Sequence, residues 1–440
     1  MRVRREPQMR RAAIVMPMRT PLGLPGGALA AVPPDRLIAT VLSAVLGRAG
    51  LDPLRVEQLV TAVPDGRAVR DALTAAGMSP ELGDFALGDG PGSGLRTLIT
   101  ASMMVRTGVA DVVLAVGAEY SCTSVEFAGQ PASAPPRGTR PDRRDDADPT
   151  TDEQIAIWAA EPARGQADSL RAEQLAVEYG LTRALADDFA AASHRRAARA
   201  RRQGVFGAEI APVVVCADPA DPNSAVTQLV DRDEGLRDDV SARAFAALAP
   251  FLPGGITTAA NSSGRGLAAS ACLVVAEDRL VDLDLEPLGY LVDWASAAAP
   301  AAVPVPHGTP AVAKALWRSG FQLTDLDLLE IEETSAVDVL ALTRALGLAD
   351  YDPDLVNVHG GAIALGDPGG AAGLRTVTAM LHELSRRDGG LGLAVTPEGP
   401  GGALAAVFES PNLEPIARSP LGARFRGAGP RRPIRGRHRH

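Results

Sequence analysis

A glycine-proline cluster that occurs twice narrows the possible folds of this 440-residue chain more than anything else in it. Residues 88–97 read GDGPGSGLRT, and residues 366–376 read GDPGGAAGLRT. Each time a Gly-Asp pair passes through a Pro-Gly turn into Gly-Leu-Arg-Thr, and a run with helical spacing follows, LITASMMVRTG in one case and VTAMLHEL in the other. Glycine permits backbone conformations and close approaches closed to other residues, so each copy predicts a strand end, a tight turn and a helix start. Backbone N–H groups at such a corner can face a ligand. The second copy lies within His359–Arg375, which packs six glycines around a short apolar run. Two copies of one supersecondary unit, well over half the chain length apart, predict an internal duplication.

Composition sets the bounds. The length allows two or three domains or a fused pair of similar halves with ample core. No apolar run reaches membrane-spanning length, so a soluble protein with no membrane partner is expected. There is one lysine, Lys314, among 44 basic residues. That bias toward arginine makes basic content a poor sign of nucleic-acid binding, and none is expected. Arg418–His440 is rich in Arg, Pro and Gly without apolar periodicity and reads as a disordered tail. The basic N-terminal segment is followed by no adequate signal-peptide core, which makes the cytoplasm the expected compartment. Cys122, Cys216 and Cys272 are too widely spaced for a disulfide framework or a metal cluster. Cys216 and Cys272 sit in apolar runs that read as buried strands.

Along the chain, AAIV opens a first strand and an amphipathic helix runs from about Pro34 to Ala49. DVVLAVGAE is a buried strand with glycine near its exit. From Ser124 to Gln166 the composition turns to Pro, Asp and Arg, as in an exposed excursion. Asp168–Ala198 carries two helices, broken at Gly180 and restarted at Thr182. The C-terminal third supplies a strand over Leu288–Ala298, a helix over Ala311–Gly320, a strand running into a helix in LDLLEIEETSAVDVLAL, and two strands about a Gly-Pro bend in GGLGLAVTPEGPGGALAAVFES. The repeated β, α, β order implies a layered α/β fold.

VNVHGGAIALGDPGGAAGLR resembles the thiolase signature VNxNGGAIALGHPxGxSGxR. Four further stretches are similar to that family: the RTPLGLPGG turn, DVVLAVGAEY, the helical module with its SH pair at Ser193 and His194, and DEGLRDDVSARAFAALAPFLPGGITTAANSSG. The resemblance spans about Arg11 to Ser410. It implies the thiolase-like α/β fold: two similar βαβαβαββ halves in five layers, α, β, α, β, α, with a helical loop module. The domains it implies are a flexible extension over 1–10, an N-terminal half over 11–123 and 250–282, a loop domain over 124–249, a C-terminal half over 283–410 and a tail over 411–440. His194 then reads as a structural helix residue.

Thiolase chemistry uses a nucleophilic cysteine, an activating histidine, a second cysteine as acid and base, and oxyanion holes. The resemblance places these catalytic positions at Pro91, Asp367, Pro397 and, for the oxyanion-hole asparagine, Glu332. Proline offers neither a nucleophile nor a backbone N–H. Two ionised carboxylates would repel a developing negative charge. His359, where the family has asparagine, is a candidate acid or base, and a cluster of His359, Asp367 and Glu332 could serve a repurposed enzyme acting on an acyl thioester or a biosynthetic intermediate. Arg237 and Ser263 match positions that contact coenzyme A, whereas Ala167, Asp168, Thr334 and Ser335 replace flanking residues and make that face more polar and more acidic.

The family implies acetyl-CoA acetyltransferase chemistry, and the residues predict its loss. The expectation is a non-catalytic homologue that partners an active thiolase-type subunit or binds an acyl thioester, as a homodimer or heterodimer. No tightly bound cofactor and no metal are expected, with coenzyme A or acyl-CoA as the possible ligand.

Overall fold

The computed structural model describes residues 10–88, 90, 92–120, 166–219, 221, 223–237, 240–299, 305–348, 351–399 and 401–412. Pro91, Cys122, the Ser124–Gln166 excursion as far as residue 165, the first nine residues and the C-terminal tail lie outside them.

Nine strands form the main sheet: β1 (Ala12–Arg19), β2 (Gln58–Ala62), β3 (Asp84–Ala86), β4 (Val112–Glu119), β7 (Ala268–Ala276), β8 (Gly289–Ala298), β9 (Leu328–Ile331), β10 (Leu391–Glu398) and β11 (Gly402–Glu409). Their order is β3-β2-β4-β7-β1-β8-β11-β10-β9. The two halves of this order mirror each other. In the first, β2 and β4 are parallel, β4 and β7 antiparallel, and β7 and β1 antiparallel. In the second, β9 and β10 are parallel, β10 and β11 antiparallel, and β11 and β8 antiparallel. The halves meet through the pairs Ala13↔Tyr290 and Ile14↔Gly289 of β1 and β8.

Helices repeat in the same order. Helix α1 (Pro34–Ala49), α2 (Gly66–Ala75) and α3 (Ser93–Arg106) belong to the first half. An insertion then brings α4 (Gln166–Glu178), α5 (Arg183–Arg202), the β5–β6 hairpin (Val213–Cys216 with Val226–Val230) and α6 (Ala242–Ala247). The second half carries α7 (Gly308–Ser319), α8 (Ala336–Ala345), the single turn α9 (Ala362–Leu365) and α10 (Ala372–Arg386). The two glycine-proline clusters thus open α3 and α10, the equivalent helices of the two halves.

Period-two alternation explains the layers, since successive strand side chains face opposite sides and both sides are buried. In β4, Val112, Leu114 and Val116 pack with α1 and α2, while Val113 and Ala115 pack with α3 and α10. In β10, Leu391, Leu393 and Val395 pack with α7 and α8, while Ala394 faces α10. One central core joins residues of both half-sheets to α3 and α10, which form the middle layer. The order is helices, half-sheet, helices, half-sheet, helices, the five layers that the resemblance implies.

Helix ends follow their local chemistry. Pro34 stands at the first turn of α1 and Gly50 ends it with φ of 67°, a left-handed conformation that glycine adopts without a Cβ clash. Thr182 caps α5 by accepting from Leu185 N–H, which restarts the helix after Gly180 as the sequence predicts.

Candidate functional site

Four loops and one helix start converge at the ends of β9 and β10. Helix α3 enters so close to β10 that a Cβ on Gly92 would lie 2.7 Å from the carbonyl oxygen of Pro397. Arg96, one turn on, pairs with Glu398, and Glu398 also accepts a 2.8 Å bond from Ser296. Gly94 faces the Gly369–Ala371 turn, where its Cβ would meet the Gly370 carbonyl oxygen at 2.6 Å. Gly92, Gly94, Gly370 and Gly373 therefore serve close packing against neighbouring backbone, a demand no side chain meets.

Asp367 sits in the turn before α10. Its N–H donates to the Gly264 carbonyl at 2.8 Å and its carbonyl accepts from Gly266 N–H at 2.7 Å. Its Oδ1 accepts from Gly369 N–H at 3.0 Å, two residues on, a local turn contact typical of aspartate. Ser263, on the same 261–267 loop, is stitched to the loop after β9: its N–H and its Oγ donate to the Thr334 carbonyl at 3.2 and 3.3 Å. Arg237 lies half-buried near His194. Burial, helped by the Arg237 charge, holds the His194 imidazole down at about 3, so it is neutral at physiological pH.

Glu332 turns into the core. Its side chain is buried, and Oε2 accepts from Arg375 Nη2 at 3.0 Å and lies 2.8 Å from Thr376 Oγ1. Its Oε1 has no hydrogen-bond partner. His359 goes elsewhere: its Nε2 lies 2.7 Å from Glu383 Oε2, beside Arg386 and Arg387. Burial would raise the Glu383 carboxyl, but the hydrogen bond and charge of His359, with Arg387, hold it at about 2. Glu332 and His359 thus bind α10 about two turns apart, ~11 Å along its axis. Asp367 bonds to neither of them. The structure sends the three candidate acid-base groups to three separate places.

Arg375 is the residue the sequence reading did not assign. The signal was present, because a lone arginine within the apolar spacing of α10 and a glutamate ending an apolar strand need each other once buried. Two more carboxylates accompany Glu332. Glu333 is met by Ser193 Oγ at 2.8 Å, Asn357 Nδ2 at 2.9 Å and Ile363 N–H at 3.1 Å, yet burial still raises its carboxyl. Glu330, on the Glu332 side of the strand, has its carboxyl raised to about 8, chiefly by burial.

Of the cysteines described, Cys216 and Cys272 are both buried in strands, and burial pushes the Cys272 thiol up to about 12. Such thiols are inert. Between α4 and the start of α8, beside Ser262 and Ser335, lies a cleft of about 10 Å³. That is roughly one water-sized group. Among the described residues no group of three or more His, Cys, Asp and Glu is placed to hold a metal ion, and no helix is long and apolar enough to cross a membrane.

Comparison with known proteins agrees with this architecture. Residues 12–278 match the model of the thiolase N-terminal domain and residues 285–410 that of the thiolase C-terminal domain. The acetyl-CoA acetyltransferase of Paracoccus denitrificans is 34% identical over 409 residues, covering 92% of this chain and all of that protein. That of Escherichia coli is 33% identical over 410 residues, with the same coverage. The crystal structure of the Bacillus anthracis acetyl-CoA acetyltransferase superposes with a TM-score of 0.77 at 28% identity, covering 92% of this chain and 100% of that one. A human mitochondrial 3-ketoacyl-CoA thiolase, solved in complex with CoA, gives 0.74 at 26% identity over 91% of this chain and 98% of its own. With both domains matched in order and full-length relatives across nine-tenths of its length, this chain belongs to the thiolase family.

Proposed function

We propose that this chain is a non-catalytic member of the acetyl-CoA acetyltransferase family, which acts as a partner of an active thiolase-type subunit or as an acyl-thioester-binding homologue in the cytoplasm. The observation that carries this reading is the commitment of Glu332. At the position the resemblance gives to an oxyanion-hole asparagine, a carboxylate is locked against Arg375 and Thr376. Such a group can donate nothing to an enolate. Pro91, Asp367 and Pro397 at the other three matched positions supply no thiol and no imidazole. The scattering of His359, Asp367 and Glu332 argues against a repurposed acid-base site. Dimer formation is supported by edge strand β3, where Phe85 is 55% exposed.

The test is an acetoacetyl-CoA thiolysis and acetyl-CoA condensation assay on the purified chain. We expect no turnover above the uncatalysed rate, no change on Asp367→Ala, and a stable complex with a cysteine-bearing homologue or saturable heat with acetyl-CoA in calorimetry. Turnover that Asp367→Ala abolishes would overturn the reading.

A further inference from the structure

Helix α3 starts at the candidate site and ends at Arg106. Past its end, at the far side of the first half, lies a groove of about 280 Å³. Leu54, Leu283 and Val112, the first residue of β4, are its apolar lining. Leu54 is 73% exposed, and Val281, on the 277–286 loop that borders the groove, is 91% exposed. Three carboxylates and two guanidiniums complete the lining. Asp111 is fully engaged, accepting from Arg10 Nη1 and Arg279 Nε at 2.7 Å each. The other two carboxylates are exposed and nearly idle. Glu57 accepts one backbone bond, from Asp111 N–H at 3.2 Å, and Asp282 reaches only Arg279 Nη1, at 3.4 Å, among the described residues. The surroundings share this excess of acid. The 277–286 loop carries five acids against Arg279 alone. Arg10 and Arg11 reach two of them, Asp278 and Glu277, but each is shared with a further acid, Asp111 and Glu409.

The chain leaves the described residues beside this acidic end. Arg11 holds Glu277 and Glu409 together, and Asn412, shortly past Glu409, is the last residue described. Residues 413–440 carry eight arginines and one glutamate. We propose that this arginine-rich segment docks on its own chain at the groove, where an arginine stem lies along Leu54 and Leu283 and its guanidinium meets Glu57 and Asp282. A long side chain with an apolar stem and a forked head of donors fits such a lining. A metal ion would gain nothing from the leucines, and an anionic polymer would be repelled by the surrounding carboxylates. Exposed ion pairs are individually weak, and the tether supplies the concentration they need, on the order of millimolar for a short linker. The proposal goes beyond the non-catalytic reading and does not depend on it.

Limited trypsin digestion of the full chain, read by mass spectrometry arginine by arginine, tests it. At low ionic strength, cleavage within 413–440 should be roughly fivefold slower in the wild type than in the double variant Glu57→Gln, Asp282→Asn, the worth of two exposed ion pairs. That difference should vanish in about 0.5 M sodium chloride. Circular dichroism should be the same in both proteins, because the two carboxylates are exposed. Equal rates at low salt, or a difference that survives high salt, would overturn the docking. A difference confined to Arg2, Arg4 and Arg5 would overturn it as well, by giving the groove to the N-terminal segment.

Discussion

Three glutamates lie within four residues at the end of β9, and each meets burial differently. Glu332 has Arg375, and Glu333 has a hydroxyl, an amide and a backbone N–H. Glu330 has no hydrogen bond to its side chain among the described residues. Burial raises its carboxyl first of all; Arg375 pulls the other way, and Glu333, Glu383 and Glu332 add repulsion, for a value of about 8 against an ordinary 4.5. Between those values the native state keeps a proton that the unfolded chain has released, so stability is full below the unfolded value and falls as pH rises through the folded one. Urea denaturation at about pH 5.5 and about pH 8 should show that loss. Glu330→Gln, a neutral near-isostere, should shrink it and raise stability at the higher pH, leaving the residue due to Glu333. An unaltered pH dependence in the variant would remove Glu330 from the account. Sequence made Glu332 legible as a departure from a family position, but not its partner. The pairing with Arg375 spans 43 residues and depends on which side of a strand faces which side of a helix.

Elements were more legible than contacts, because their signals are local. The expected bounds of α1 are those observed, set by Pro34 at its start and Gly50 past its end. Strand β1 outruns the apolar AAIV as far as Arg19 because Arg19 is buried against Glu209 and Asp233, partners from the distant insertion that compensate its charge. Before the second glycine cluster the sequence predicts a strand end, and the structure has instead the turn α9: four residues fall below any helical period and owe their order to the packing around Gly361. The duplicated glycine clusters predicted equivalent helix starts, and the structure adds why glycine is needed there. A Cβ on Gly373 of α10 would stand 2.3 Å from the backbone nitrogen of Leu95 in α3, where no rotamer gives relief. Gly373→Ala should cost more than about 3 kcal/mol by chemical denaturation, at or beyond the usual range for overpacking. Gly47→Ala, in the exposed face of α1 with open space around it, should instead stabilise by about 0.5–1 kcal/mol. Equal effects at both sites would mean that helix propensity, not close approach, governs these glycines.

At the scale of the whole molecule the two halves are alike in order but not at their edges. Beyond β9, Val356 bridges Leu329 and Leu355 accepts from Leu329 N–H, so that end of the sheet is partly closed. Beyond β3 no described strand follows, and Phe85 and Ala86 are exposed there. An uncovered edge that carries an aromatic side chain is a template for pairing with another chain, and proteins that remain monomeric blunt such edges with charge or proline. This one does neither within its three residues beyond Asp84, whose carboxylate is turned inward to Thr61 at 2.9 Å. On the reading proposed above, the edge would pair with a second copy of this chain or with a thiolase-type homologue presenting a like edge. Phe85→Lys should weaken that association by roughly thirtyfold, the ~2 kcal/mol typical of a lost interface anchor. Light scattering across a dilution series should accordingly show the variant dissociating at concentrations where the wild type holds twice the monomer mass. Phe85 packs little within its own chain, so the thermal midpoint of the dilute monomer should not fall. A wild type that is monomeric throughout, or a variant that dissociates no sooner, would leave the β3 edge without a partner and shift the search for an interaction surface to the insertion within the first half.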